Sequence, residues 1–202
     1  MTEEEAFNPY SLQRKPWQEF RFLRRGDKFI NLSRLTNPQD RVQAAQEMRS
    51  VLLEAFSGIE TISLIVHTDE EIKSNEHLAE KMFGSVRPTG KLLGLFHLED
   101  RLREGIHFTV SVFETNGELI VHRDGSRDWQ MNEDASQATA IAIASAIILN
   151  PSAQISVTDR TVETAKYEQL LMLTCLGFKP DEKTIPSGPF TIYPRYFLEG
   201  IK

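Results

Sequence analysis

Apolar and polar residues change rhythm several times along the chain, and each rhythm predicts an element. Phe29-Ile-Asn-Leu-Ser-Arg-Leu35 alternates apolar with polar, the period of a half-buried strand. Thr36-Asn37-Pro38 then starts a helix: the Asn37 side chain can cap it, and Pro38 suits the first helical position, where its missing N–H costs nothing. Val42, Ala45, Met48, Val51, Leu52 and Ala55 recur at helical spacing until Gly58 stops the pattern. The short apolar run from Thr61 to Val66 predicts a strand, and Asp69 to Phe83 a helix of weaker amphipathicity. Lys91-Leu-Leu-Gly-Leu-Phe-His-Leu98 and His107-Phe-Thr-Val-Ser-Val-Phe113 predict two further strands.

The stretch from Gly117 to Phe178 organises the rest. Asn116-Gly117 is a type I′ hairpin signal that pairs the His107 strand with Glu118-Leu-Ile-Val-His122. A polar loop from Arg123 to Asn132 leads into an alanine-rich helix, Ala135 to Leu149. A strand, Gln154 to Thr158, and a helix, Val162 to Leu176, follow, closed by Gly177-Phe178. Phe190 to Phe197 makes a last strand, with Pro194 marking an edge or an end. A β-α-β-α run places strands side by side under helices. The prediction is one α/β domain over residues 27–202, a single mixed central sheet with helices on both faces, preceded by an arm over residues 1–26.

Length and composition narrow the class without naming a task. With 202 residues, 40% of them hydrophobic, the chain has enough apolar material for one sizeable core. A net charge of −6 argues against bulk nucleic-acid binding. No apolar run is long enough for a transmembrane segment. Met1-Thr-Glu-Glu-Glu5 lacks the basic and apolar regions of a signal peptide, and the lone Cys175 has no internal disulfide partner, so the expected location is cytoplasmic. In the arm, Arg14, Lys15, Arg21, Arg24 and Arg25 interleave with Trp17, Phe20 and Phe22. Either those aromatics pack onto the domain, or the segment docks an acidic or protein partner or a membrane surface.

Few residues carry recognisable chemistry. His97, His107 and His122 fall on or near predicted strands, without the spacing of a metal site. His122 ends the strand before the polar loop; it is either structural or a general base, since an imidazole titrates near neutral pH. Glu99 and Asp100 follow a strand and read as a solvated turn, or as carboxylates assisting a base through water. Cys175 sits among Leu173, Leu176 and Phe178 as a small apolar residue rather than a nucleophile. No Gly-x-Ser-x-Gly, P-loop or dinucleotide glycine pattern occurs.

Three segments resemble the GNAT (GCN5-related N-acetyltransferase) family. Phe29 to Asp40 is similar to its first strand and helix, Gly90-Lys-Leu-Leu-Gly-Leu-Phe-His-Leu98 to its second strand, and Ile155 to Thr158 with Leu176-Gly177-Phe178 to its closing strand, helix and turn. The resemblance implies a GNAT-like topology and an acyltransferase that uses acetyl-CoA or another acyl-CoA. Its acceptor would be an amine-bearing small molecule or protein. It implies cofactor contacts at Val121, Arg123, Gly125, Ser126 and Arg127, with His122 and Glu99 as catalytic residues. Two departures stand out. The family's glycine-rich phosphate loop is replaced by Arg123-Asp-Gly-Ser-Arg-Asp-Trp-Gln-Met-Asn-Glu-Asp134, whose acids oppose an anion. The tyrosine that the family often carries four residues before the closing glycine is Leu173 here. The departures leave a second reading open, a degenerate GNAT-fold protein acting as a protein-binding or regulatory module.

Overall fold

The computed structural model describes residues 24–25, 28–74, 90–102, 107–125, 133–159, 172–180 and 195–201. It opens on two short antiparallel strands, β1 (Arg24–Arg25) and β2 (Lys28–Phe29). The alternation up to Leu35 predicts a strand, and the chain turns instead: Leu32–Arg34 is a 3-10 turn. Asn31 accounts for it. Its Oδ1 accepts from the Ser33 N–H at 3.1 Å and from Ser33 Oγ at 2.6 Å, a local bond that competes with a ladder. The segment likened to a first family strand is therefore no part of the main sheet.

Helix α1 (Pro38–Ser57) has the predicted limits, with Asn37 Oδ1 accepting from the Gln39 N–H at 2.8 Å. Its buried face is Arg41, Ala44, Ala45, Met48, Leu52 and Phe56, while Val51 and Ala55 point to solvent. There follow β3 (Ile62–Val66), α2 (Asp69–Ser74), β4 (Lys91–Asp100), β5 (His107–Thr115) and β6 (Glu118–Gly125). Helix α3 (Glu133–Leu149), β7 (Ile155–Asp159), β8 (Lys179–Pro180) and β9 (Arg195–Leu198) complete the described elements. The rest of the helix expected to reach Phe83, most of the one expected from Val162, and the start of the last strand lie outside the described residues. So does the arm up to residue 23.

Seven strands form one sheet in the order β3-β4-β5-β6-β7-β9-β8. Every neighbouring pair is antiparallel except β6 and β7. The β5–β6 hairpin turns on Asn116 and Gly117 at φ 52° and 81°, the left-handed pair a type I′ turn needs. The two long helices pack against each other on one face of the sheet. Phe96 and Leu98, Phe108 and Val110, Leu119 and Val121, and Ile155 and Val157 supply that core from alternate positions of four strands. The buried alanines of α3, Ala138, Ala142 and Ala146 among them, allow close approach.

Residues 172–176 are helical and end in a Schellman motif. The Phe178 N–H reaches the Leu173 carbonyl at 2.9 Å, and the Gly177 N–H reaches the Thr174 carbonyl at 3.0 Å. Phe178 and Leu173 are both buried in the core, the apolar contact that accompanies this motif. Gly177 has φ 92°, so the motif rests on a residue without a Cβ.

Candidate active site

The opposite face of the sheet is polar in its middle and still buried. Side chains alternate along a strand, so the residues between the core positions share that second face. Register places Leu95, Ser111, His122, Thr158 and Arg195 in one row across five strands, and His97, Thr109 and Asp124 in the next. His97, Thr109, Ser111 and His122 are all buried. His122 Nδ1 lies 2.9 Å from Thr158 Oγ1, and His97 Nδ1 lies 3.3 Å from Thr109 Oγ1. Ser111 Oγ donates to the carbonyl of His122 at 3.4 Å. The parallel strand pair thus holds an oriented imidazole in the interior of the sheet.

One end of this face is tied by an ionic cluster. Glu118, at the start of β6, accepts from Ser156 Oγ, from Arg195 and, at 3.2 Å, from Gln154 Nε2. Burial pushes the Glu118 carboxyl up, but the Ser156 hydroxyl and the Arg195 guanidinium outweigh it and hold the group below the ordinary glutamate value. The cluster fixes β6, β7 and β9 relative to one another.

The residues singled out from the sequence separate into three groups. His122 and Glu99 share the polar face, but β5 lies between their strands. Glu99 is four residues along β4 from His122's row, about 16 Å away at ordinary strand spacing and rise. They are not brought to one point. Glu99 also belongs to β4 rather than to a turn, opposite His107, with its carboxylate 3.4 Å from His97 Nε2. Val121 and Arg123 face the helices. Arg123 is fully buried with its guanidinium carbon 5.2 Å from the Phe108 ring centroid, a cation–π contact. Nor does the loop begin at Arg123: β6 runs on to Gly125 because Val110, Thr109 and Phe108 of β5 continue to pair with it. Ser126 and Arg127 lie outside the described residues.

Over Leu119–Arg123, β6 is paired with β5 on one side and β7 on the other, so the Val121 backbone sits inside a closed ladder. Beyond it come Gly125 and, after the loop, Glu133 and Asp134 at the start of α3. Thr109, Ser111, Thr158 and the Glu118–Arg195 pair escaped the sequence reading. Alternation in His107 to Phe113 marked Thr109 and Ser111 as the polar positions, the same signal that a solvent-facing row gives. Among the described residues no group of His, Cys, Asp and Glu could hold a metal ion, and no helix is long and apolar enough to cross a membrane.

No protein-family model matches the chain, and no curated protein matches it. Among solved structures, the crystal structure of a "putative acetyltransferase" from Sphaerobacter thermophilus DSM 20745 aligns with a TM-score of 0.36 and 14% identity, over 69% of this chain and 94% of that one. So distant a likeness says nothing about activity.

Proposed function

We propose that this protein is a GNAT-like acyltransferase that moves an acyl group from acyl-CoA to an amine, with His122 as general base. The observation that carries the reading is the row Ser111–His122–Thr158 beside the parallel strand pair, with Ser111 and His122 buried and Thr158 half-buried. Polar side chains enclosed in a central strand gain little stability even when hydrogen-bonded, and apolar residues would serve packing better. Their concentration around one oriented imidazole is what chemistry, rather than folding, asks for. The connection supports it too: α3 crosses from β6 to its parallel neighbour, and open α/β sheets bind ligands outside the carboxyl ends of such strands.

The residues fit an acyl-CoA in part. Gly125, Ser126, Arg127 and the N-terminus of α3 are the groups available to phosphates, against the opposing charge of Glu133 and Asp134. Arg123 and the Val121 backbone are engaged elsewhere. The thioester supplies the activated acyl carbon; the chain's part is to orient and to move a proton. In the tautomer that places the proton on Nδ1 toward Thr158 Oγ1, Nε2 is the nitrogen with which His122 would take the proton that an attacking amine must lose.

The closed β6 ladder and the acidic start of α3 favour a second reading, a binding or regulatory module that kept the fold and lost the cofactor site. Thermal unfolding with acetyl-CoA at millimolar concentration separates the two. The enzyme reading expects a raised Tm that Arg127→Glu abolishes, and amine acetylation that His122→Asn removes while the Tm shift persists. Neither a shift nor thioester consumption with any acyl chain would leave the module.

A further inference from the structure

A separate cavity lies at the amino end of β7, the end of the sheet away from the start of α3. Leu198 pairs with Ile155 there, and the chain continues past the strand through Glu199 to Ile201. The cavity holds about 390 Å3 between Ser33, Leu35 and Thr36, the first turn of α1, Gly177, Lys179 and the last residues. That volume lies toward the small end of the range for ligand sites, roughly 300–1,000 Å3.

Arg41 is its unusual member. It is 3% exposed, on the inner face of α1. Its Nη1 donates to the carbonyls of Pro151 at 3.3 Å and Glu199 at 3.2 Å. Its Nε is buried without an acceptor. Among the described residues no carboxylate pairs with it: the Glu199 side chain is exposed and meets Lys179 Nζ at 3.5 Å instead. Burial lowers the Arg41 pKa from the ordinary arginine value, yet a guanidinium in a protein stays charged. A full positive charge is therefore enclosed against two neutral carbonyls, where buried charges are ordinarily paired.

Apart from Glu199, whose exposed carboxylate pairs with Lys179, the lining around it suits an anion with an apolar body. Lys179 adds a second cation at the rim, Ser33 and Thr36 bring hydroxyls, and Leu35, Phe197 and Ile201 give an apolar wall. We propose that this cavity binds a small organic oxyanion, a carboxylate or phosphate carried on a short apolar body. The head group meets Arg41 and Lys179, and the body lies along Leu35 and Phe197. The site lies apart from the Ser111–His122–Thr158 row and does not rest on the acyltransferase reading.

Titrating the full chain with phenyl phosphate, benzoate and inorganic phosphate, followed by calorimetry, tests this. Arg41 also clamps two carbonyls, so substitutions at the exposed rim carry the test: Lys179→Glu reverses a charge, and Thr36→Trp fills the mouth. One of the two aromatic anions should bind with a Kd below about 1 mM, roughly tenfold tighter than inorganic phosphate. Each substitution should weaken that binding by about tenfold or more, and acetyl-CoA should not compete. Whether phenyl phosphate or benzoate binds tighter identifies the head group. No binding by about 10 mM, or binding that survives either substitution, overturns the proposal. Inorganic phosphate binding as tightly as the aromatic anions overturns its organic part.

Discussion

Replacing Gly177 by alanine should be among the most damaging single-methyl changes in the protein. Two costs combine. At φ 92° the residue lies where L-amino acids are strained, a penalty of about 1–2 kcal/mol. The added Cβ would also fall 2.3 Å from Asn31 Oδ1, 2.7 Å from Ser33 Oγ and 2.8 Å from Ser33 Cβ. Those atoms belong to the turn that Asn31 Oδ1 holds together, so they can retreat only by loosening it. Overpacking of this kind costs about 1–3 kcal/mol, which brings the total to about 2–5 kcal/mol. With a urea slope of about 2 kcal/mol/M, the unfolding midpoint should fall by about 1–2.5 M. Two companions separate the terms. Gly177→Asn tolerates the backbone angle but keeps the contact, so it should lose about 1–3 kcal/mol. Gly177→Ala in an Asn31→Ala, Ser33→Gly background should lose only the backbone part, about 1–2 kcal/mol relative to that background. An alanine variant within about 0.5 kcal/mol of wild type would refute the reasoning, as would an equal loss in both backgrounds.

Three further outcomes follow from the same structure. Glu118→Gln should destabilise by on the order of 1–3 kcal/mol near pH 7. Because the folded Glu118 carboxyl sits below its ordinary value of 4.5, its contribution is present above that value and lost as pH falls through the folded one. The difference between wild type and variant in urea unfolding should therefore shrink below about pH 4, and a pH-independent difference would contradict the cluster. Asn37→Ala should cost α1 about 0.5–2 kcal/mol by removing the cap on the Gln39 N–H, and a thermal melt unchanged by it would argue against the cap. Burial raises the Cys175 thiol, so iodoacetamide at pH 8 should label the folded protein at least about tenfold more slowly than the urea-unfolded chain; equal rates would contradict that burial.

What could be read from the sequence was what neighbours in the chain decide. Asn37, Pro38 and Gly58 delimit α1 because capping involves residues two to four apart. Asn116-Gly117 sets the β5–β6 hairpin for the same reason. The errors lie where a local side-chain bond overrides the alternation, or where a distant partner decides. Phe29 to Leu35 alternated suitably for a strand, yet the Asn31–Ser33 bond turned it, and the main sheet never reached it. Arg123 and Asp124 look like the start of a polar loop, yet β5 offered pairing partners and kept both in the strand. Of the site, His122 was found by type and position. Its setting was not, because Thr109 and Ser111 on a strand read as solvent-facing until their burial is known.

The two rims of the main sheet differ in what they offer another chain. β8 is two residues long and ends in Pro180, which has no N–H to give a neighbouring strand. β3 is five residues, Ile62–Val66, with Ile65 and Val66 each 37% exposed, and among the described residues it pairs only with β4. A sheet with one adhesive rim and one blunt rim can be joined from a single side. Two copies meeting β3 to β3 about a two-fold axis would consume both adhesive rims and present only blunt ones outward. Judged by the described residues, association through strand edges would end at such a pair rather than extend into a fibre.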